Sequence, residues 1–182
     1  MTKLWKNVLV LWAIGMGIAI SAPAAAVTSA VGPYYATPSW DQTLPAATRF
    51  IVLTNMNSAA VLDQETGLVW EQSQSTSPFV WLAASSHCMD SDTGGRKGWR
   101  LPTIQDLASL IDPTQSSPAL PSGHPFSNVF SPVWSATTDA SDTNFAYRMS
   151  FFNGSVIRAE KSNINVVFRA WCVRGGPGVD PQ

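Results

Sequence analysis

The 182-residue chain carries 11 Lys and Arg against 12 Asp and Glu, a net charge of −1, and charged residues are only 13% of the total. No basic run occurs, which excludes the electrostatic footprint of a nucleic-acid-binding protein. Once an N-terminal segment is set aside, the length suits one domain able to bury about 70% of its unfolded surface.

Residues 1–26 read as an export signal. Lys3 and Lys6 supply a positive start, Val8 to Ile20 an apolar run, and Ala24-Ala25-Ala26 a small-residue cleavage site. The run is about 13 residues, short of the roughly 20 that cross a bilayer, so no stable membrane anchor is expected after cleavage, an uncleaved anchor being the alternative. Residues 27–48 are rich in Pro, Ala, Ser and Thr and predict a spacer without regular structure.

Phe50-Ile51-Val52-Leu53 is a β-rich run. Ala60 to Asp63 and Leu68 to Glu71 then read as a hairpin around Gln64-Glu65-Thr66-Gly67. Ser77 reads as a helix N-cap with Pro78 at the first helical position. Trp81, Ala84, Ser85 and Cys88 share one face of that helix and turn Cys88 toward the core. Asp90 to Gly98 is a loop of turn residues and charge. It partly matches a calcium loop, but the position that needs Glu is Leu101, so a solvated turn is expected.

Gly98 to Asp112 is the most legible stretch. Pro102 cannot lie inside a helix, so the helix starts after it. Thr103 is placed to cap it, with Asp106 at capping-box spacing. Ile104, Leu107, Leu110 and Ile111 fall on one face. Asp112-Pro113 is expected to end it. The stretch from Pro113 to Pro132 holds five prolines. It is either a functional loop or a packed irregular one pinned by Leu120, Phe126 and Phe130.

From Val133 the pattern turns to β. Val133 to Thr137 predicts one strand. Phe145 to Phe152 alternates, with Phe145, Tyr147, Met149 and Phe151 on one face and Arg148 and Ser150 on the other. Asn153-Gly154 signals a two-residue hairpin. Ser155 to Glu160 returns, Ser162 to Asn165 turns, and Val166 to Arg174 closes the sheet with Phe168, Ala170 and Cys172 on one side. The domain is expected over 49–176, with 177–182 as a tail. Helices set apart from an antiparallel sheet define an α+β fold.

Cys88 and Cys172 are the only cysteines. In an exported chain a distant pair reads as a disulfide, closing a loop of about 85 residues worth roughly 4–5 kcal/mol in loop entropy. Free buried thiols are the alternative, and no C-x-x-C or paired-His spacing points to metal. His87 and Cys88 are adjacent on a helix and do not face each other. His124 lies between Gly and Pro in a loop. With no G-x-S-x-G and no placed carboxylate pair, neither catalytic residue, cofactor nor metal is expected.

The blocks LDQETGLVWE, GGRKGWRLPTIQDLASLID, VWSATT, SFFNGSV and AWCVRGG, in that order, resemble the bacterial DUF1566 domain, also called the Lcl C-terminal domain, over about Arg49 to Gly176. The resemblance implies a C-type-lectin-like fold, with two short helices, a small twisted antiparallel sheet and long loops. It also implies a helix-to-last-strand disulfide between Cys88 and Cys172. An exported protein is implied, secreted, periplasmic or on the cell surface, that binds glycans, sulfated ones among them, without catalysis.

The chain lacks the Glu-Pro-Asn, Gln-Pro-Asp and Trp-Asn-Asp triplets of calcium-dependent lectins. It is similar in expected fold to formylglycine-generating enzymes too, but paired cysteines leave it no reactive thiol. By the same resemblance, a site is expected on Phe145's strand and on the turns Asp139 to Asn144 and Ser162 to Asn165. Arg148, Arg158, Lys161 and Arg169 are candidates to meet sulfate or carboxylate, or are plain surface charges. Asn163 is a further candidate. Trp134 and Tyr147 are candidates to stack on sugar rings, or are core. The expected partner is a glycan. The alternatives are an envelope or host protein, or a structural envelope role with no ligand.

Overall fold

The structure is a computed structural model that describes residues 44–129 and 132–175. The export signal, residues 27–43, Phe130 and the C-terminal tail lie outside the described residues.

The first sheet begins as its patterning predicts. β1 (Phe50–Val52), β2 (Ala60–Asp63) and β3 (Val69–Glu71) form an antiparallel meander, with Phe50 opposite Asp63 and Val61 opposite Trp70. The turn between β2 and β3 needs Gly67, whose φ is +70°. The spacer reading fails at its end, where α1 (Ala46–Arg49) makes a single helical turn. The cause is Arg49, which is fully buried. Its Nε and Nη2 donate to the two carboxylate oxygens of Asp63 at 2.8 and 2.7 Å, and Nη2 also donates to the Ser109 carbonyl at 2.8 Å. A buried guanidinium must be paired, so the residues before β1 are drawn into the fold.

α2 (Trp81–Asp90) buries Ala84 and Cys88, as its expected face requires. Its N-cap is Val80 and not Ser77. Phe79 is held extended because it exchanges both backbone hydrogen bonds with Phe168, at 2.8 and 3.0 Å. The helix therefore begins only after it. The following loop contains a 3-10 turn, Thr93–Gly95. Gly94 has φ +65°, and a Cβ there would come within 2.6 Å of Met56 Cβ, so the turn is seated too closely for any other residue. Trp99–Arg100 forms a short strand, β4, with Trp99 buried.

α3 (Ile104–Ser109) has the expected capping box. The Thr103 hydroxyl accepts the Asp106 N–H at 3.0 Å, and the Asp106 carboxylate accepts the Thr103 N–H at 2.9 Å. The helix ends earlier than Asp112. Leu110 and Ile111 bond to carbonyls three residues back, at 3.2 and 3.0 Å, and the Asp112 N–H turns away to the Ala119 carbonyl. From there to Val133 the described residues form an irregular loop with Leu120 and Phe126 buried. The packed-loop alternative therefore holds at those two residues.

The second sheet has the order β5 (Val133–Thr138), β6 (Phe145–Ser150), β7 (Ser155–Glu160), antiparallel throughout. Asn153-Gly154 is not a two-residue hairpin. Ser150 pairs with Ser155, leaving residues 151–154 as the loop. Phe151 is fully buried and its carbonyl accepts the Ala119 N–H at 2.7 Å, which takes it out of the ladder. The face of β6 expected to be polar is also partly apolar, since Ala146 is fully buried there.

The closing segment departs furthest from expectation. Only Val173–Arg174, β8, is a strand, inserted between β3 and β4 in the order β1-β2-β3-β8-β4. Phe168 and Arg169 make isolated bridges, to Phe79 and Val133. Alternation nevertheless holds, because the segment separates two cores. Ala170 and Cys172 pack with Trp99, Trp134 and Ala146, with Phe168 against them. Trp171 and Val173 pack with Trp70, Leu107, Phe126 and Phe151. Cys88 and Cys172 are bonded, Cα–Cα 5.3 Å, both fully buried, tying α2 to this dividing segment. The architecture is mixed, with two small antiparallel sheets and few helices.

Candidate ligand-binding surface

Strand alternation sorts the candidates of the second sheet onto its two faces. Trp134 lies across from Arg148, which lies across from Ile157. Continuing along β7, Lys161 follows on that same side. Tyr147 lies across from Arg158, on the other face with Phe145.

Trp134 is not available to a sugar. It is fully buried, its Nε1 donates to the Phe79 carbonyl at 2.9 Å, and its ring meets Phe168 edge-on at 4.8 Å. On the same side, the Arg148 guanidinium lies 4.7 Å from the centre of the Phe168 ring. Lys161 Nζ lies 4.3 Å from the centre of the Trp81 ring and donates to the Thr138 hydroxyl at 2.7 Å. Burial pushes the pKa of both cations down from their ordinary values. Both supporting rings pack against the Cys88–Cys172 core. Neither cation takes part in an ion pair among the described residues.

Arg158 is placed differently. It pairs with Asp139 at 2.9 Å and lies over the Phe145 ring at 4.8 Å. Its hydrogen bond, followed by those from the Ser141 backbone and hydroxyl, holds the Asp139 carboxyl down at about 2. The charge of Arg158 is thus committed within the protein. Arg169 donates to the Ser75 carbonyl at 3.0 Å and serves as a strut. Asn163 Oδ1 accepts the Asn165 N–H at 3.0 Å, which closes its own turn. Tyr147 is half-buried on the Arg158 side. The structure therefore brings Arg148 and Lys161 together on one side and separates the other candidates from them. Trp81, read from the sequence only as part of a core-facing helix stripe, is the platform for Lys161.

Sequence reasoning passed over a second feature. Where the chain leaves β3, a cleft of about 510 Å3 opens. Its wall includes Glu71, Gln74, Ser75, Phe79, His87 and Thr93. Glu71 Oε1 accepts from the Ser91 and Thr93 hydroxyls at 3.1 and 2.7 Å, and Oε2 accepts the Cys172 N–H at 3.1 Å. Phe79 and His87 stack at 4.7 Å. The loop once weighed for calcium turns its Ser91 and Thr93 hydroxyls to Glu71 and leaves Asp90 and Asp92 exposed. Among the described residues no group of three or more His, Cys, Asp or Glu is placed to hold a metal ion. Both cysteines are consumed in the disulfide, so the chain has no free thiol.

The sequence blocks lead to a family. The model of the Lcl C-terminal domain matches residues 59–174, and the chain belongs to that family. The match starts inside the folded unit, since β1 pairs with β2 ahead of it. Comparison with curated proteins returns no match.

Proposed function

We propose that this chain is an exported, non-catalytic binding domain of C-type-lectin-like architecture that recognises acidic, above all sulfated, glycans at the cell surface or in the periplasm. The observation that carries the reading is the placement of Arg148 and Lys161, each over an aromatic ring and neither in an ion pair among the described residues. A ring beneath a long cationic side chain limits its freedom, so less ordering is needed when an anion arrives. Sulfate and carboxylate suit the planar donors of guanidinium and the point charge of ammonium. A buried disulfide fits an oxidising compartment, and among the described residues no helix is long and apolar enough to cross a membrane.

A glycan array, probed at low and raised salt and with and without chelator, tests this. Retention of sulfated glycans that weakens with salt and ignores chelator is expected. A second reading, a protein-binding module of the envelope, is favoured by the exposed apolar side chains of Val156 and Ile157 on the edge strand β7. Capture of one protein partner, insensitive to free glycans, would select it.

A further inference from the structure

We infer that the outer edge of β7 is a docking strand for a second copy of this chain, which pairs with it antiparallel about a two-fold axis at Ala159. β7 is the last strand of its sheet, in the order β5-β6-β7. Its main-chain groups divide by alternation. The Lys161 N–H donates to the Asn144 carbonyl at 2.9 Å, and the Phe145 carbonyl turns the other way, accepting the Asp139 N–H at 2.9 Å. With Ala146 opposite Ala159 and Arg148 opposite Ile157, the odd-numbered residues of β7 therefore bond to β6. The N–H and C=O groups of Val156, Arg158 and Glu160 point outward, and among the described residues no strand lies beyond them.

An open edge is guarded in most folds by proline, a bulge, a very short strand or charge. β7 carries no proline, and its six residues keep an unbroken register with β6. The sheet's irregularity lies on the far side, between β5 and β6. Val156 and Ile157 are 46% and 47% exposed. Charge is the remaining guard, and here it has both signs, Arg158 and Glu160. Such an edge rejects a copy of itself in some registers and attracts it in one.

A copy centred on Arg158 sets Arg158 against Arg158, and one centred on Glu160 sets Glu160 against Glu160, both repulsive. Centring on Val156 or Ile157 gives no charge pair. Centred on Ala159, each Arg158 meets the partner's Glu160 and each Glu160 meets the partner's Arg158, and every such pair exchanges its outward main-chain bonds. Arg158 can serve a second carboxylate, since its side chain is 52% exposed and its bond to Asp139 runs through Nη1. On the other face Ala159 meets itself at the close, non-hydrogen-bonded position, where a small side chain fits. Ile157 there lies against the apolar stem of the partner's Lys161. The exposed apolar side chains of β7 thus gain an occupant other than a foreign protein. The axis is perpendicular to the sheet, so three strands from each copy form one continuous sheet with both Arg148–Lys161 sides on the same face. The use of that arrangement, two sites for one polyanionic chain, rests on the acidic-glycan reading; the pairing itself needs no ligand.

Sedimentation equilibrium of the purified protein, from micromolar to millimolar concentration, is expected to show a monomer–dimer equilibrium. Glu160→Arg and Arg158→Glu are each expected to weaken self-association at least about tenfold, since both set like charges across the axis. Mixed in equal amounts, the two variants are expected to form a heterodimer, because each supplies the charge the other lacks. In the parent, amide exchange at Val156, Arg158 and Glu160 should slow as concentration rises, while the Ile157 and Ala159 amides stay slow throughout. A parent that remains monomeric, a dimer that Glu160→Arg leaves intact, or no heterodimer in the mixture would overturn the inference. So would protection of the three outward amides in the dilute monomer, which would mean that the chain's own residues cover the edge. If Arg158→Glu fails to fold without its bond to Asp139, Glu160→Arg and the parent's amides decide: lost association with concentration-dependent protection supports the pairing, and the absence of either rejects it. No glycan enters these measurements, so their failure leaves the acidic-glycan reading standing, and the failure of that reading leaves the pairing standing.

Discussion

Glu71 Oε2 accepts the backbone N–H of Cys172 at 3.1 Å, and the Glu71 N–H donates back to the Cys172 carbonyl at 3.0 Å. One residue at the end of β3 thus holds the disulfide-bearing segment by main chain and side chain together. Its carbonyl also accepts Trp171 Nε1 at 2.7 Å, so the dividing segment between the two cores is anchored at Glu71 on both sides.

Replacing Glu71 by Leu removes the acceptor for two hydroxyls and one buried N–H. Orphaning a buried donor costs about 1–3 kcal/mol. Glu71→Leu is therefore expected to lower the unfolding free energy by at least about that much, measured by urea denaturation with fluorescence, while Glu71→Gln loses less because one acceptor oxygen remains. Equal stability of Glu71→Leu and the parent would show that this network contributes nothing.

The disulfide joins residues 84 apart in sequence. On loop entropy, its loss costs roughly 4–5 kcal/mol, a large share of the 5–15 kcal/mol typical of a domain. The Cys88→Ala/Cys172→Ala double variant should unfold at much lower denaturant than the parent, and added reductant should move the parent toward the variant. An unchanged midpoint in the variant would mean that packing alone holds α2 to the dividing segment.

The Arg158–Asp139 pair makes stability depend on acid. In the folded chain Asp139 titrates at about 2, against about 4 for an unfolded aspartate. The folded carboxyl resists protonation, so its stabilising contribution is full above about pH 4 and is lost as pH falls toward about 2. Urea midpoints across that window should fall less steeply for Asp139→Asn than for the parent. Parallel slopes would show that the pair does not persist in solution.

How far the chain could be read in advance depended on whether a signal was local. The Thr103–Asp106 capping box is two side chains answering each other across one turn, and it stands where expected. The β2–β3 hairpin and the inward Cys88 were equally local. Val166 to Arg174 was misjudged because alternation reports which side a residue faces, not what its backbone bonds to. Ser77-Pro78 was misjudged for a similar reason, since Phe168, about ninety positions away, holds Phe79 extended. Arg49 gave no advance sign of its burial, which depends on Asp63 and Ser109 arriving from other elements. At the candidate surface, the basic residues were visible but their rings were not. Gln74 sits in a run of Gln, Ser and Thr without hydrophobic periodicity, and its burial is set by elements distant in sequence.

The acidic-glycan reading is tested most directly by titrating a sulfated oligosaccharide and its desulfated counterpart into the parent and into Arg148→Gln/Lys161→Met, substitutions that keep much of each stem over its ring. The parent should bind the sulfated ligand alone, more weakly as salt is added, and the double variant should lose at least about tenfold in affinity. Undiminished binding by the double variant, or affinity in the parent that is indifferent to both sulfation and salt, would contradict it.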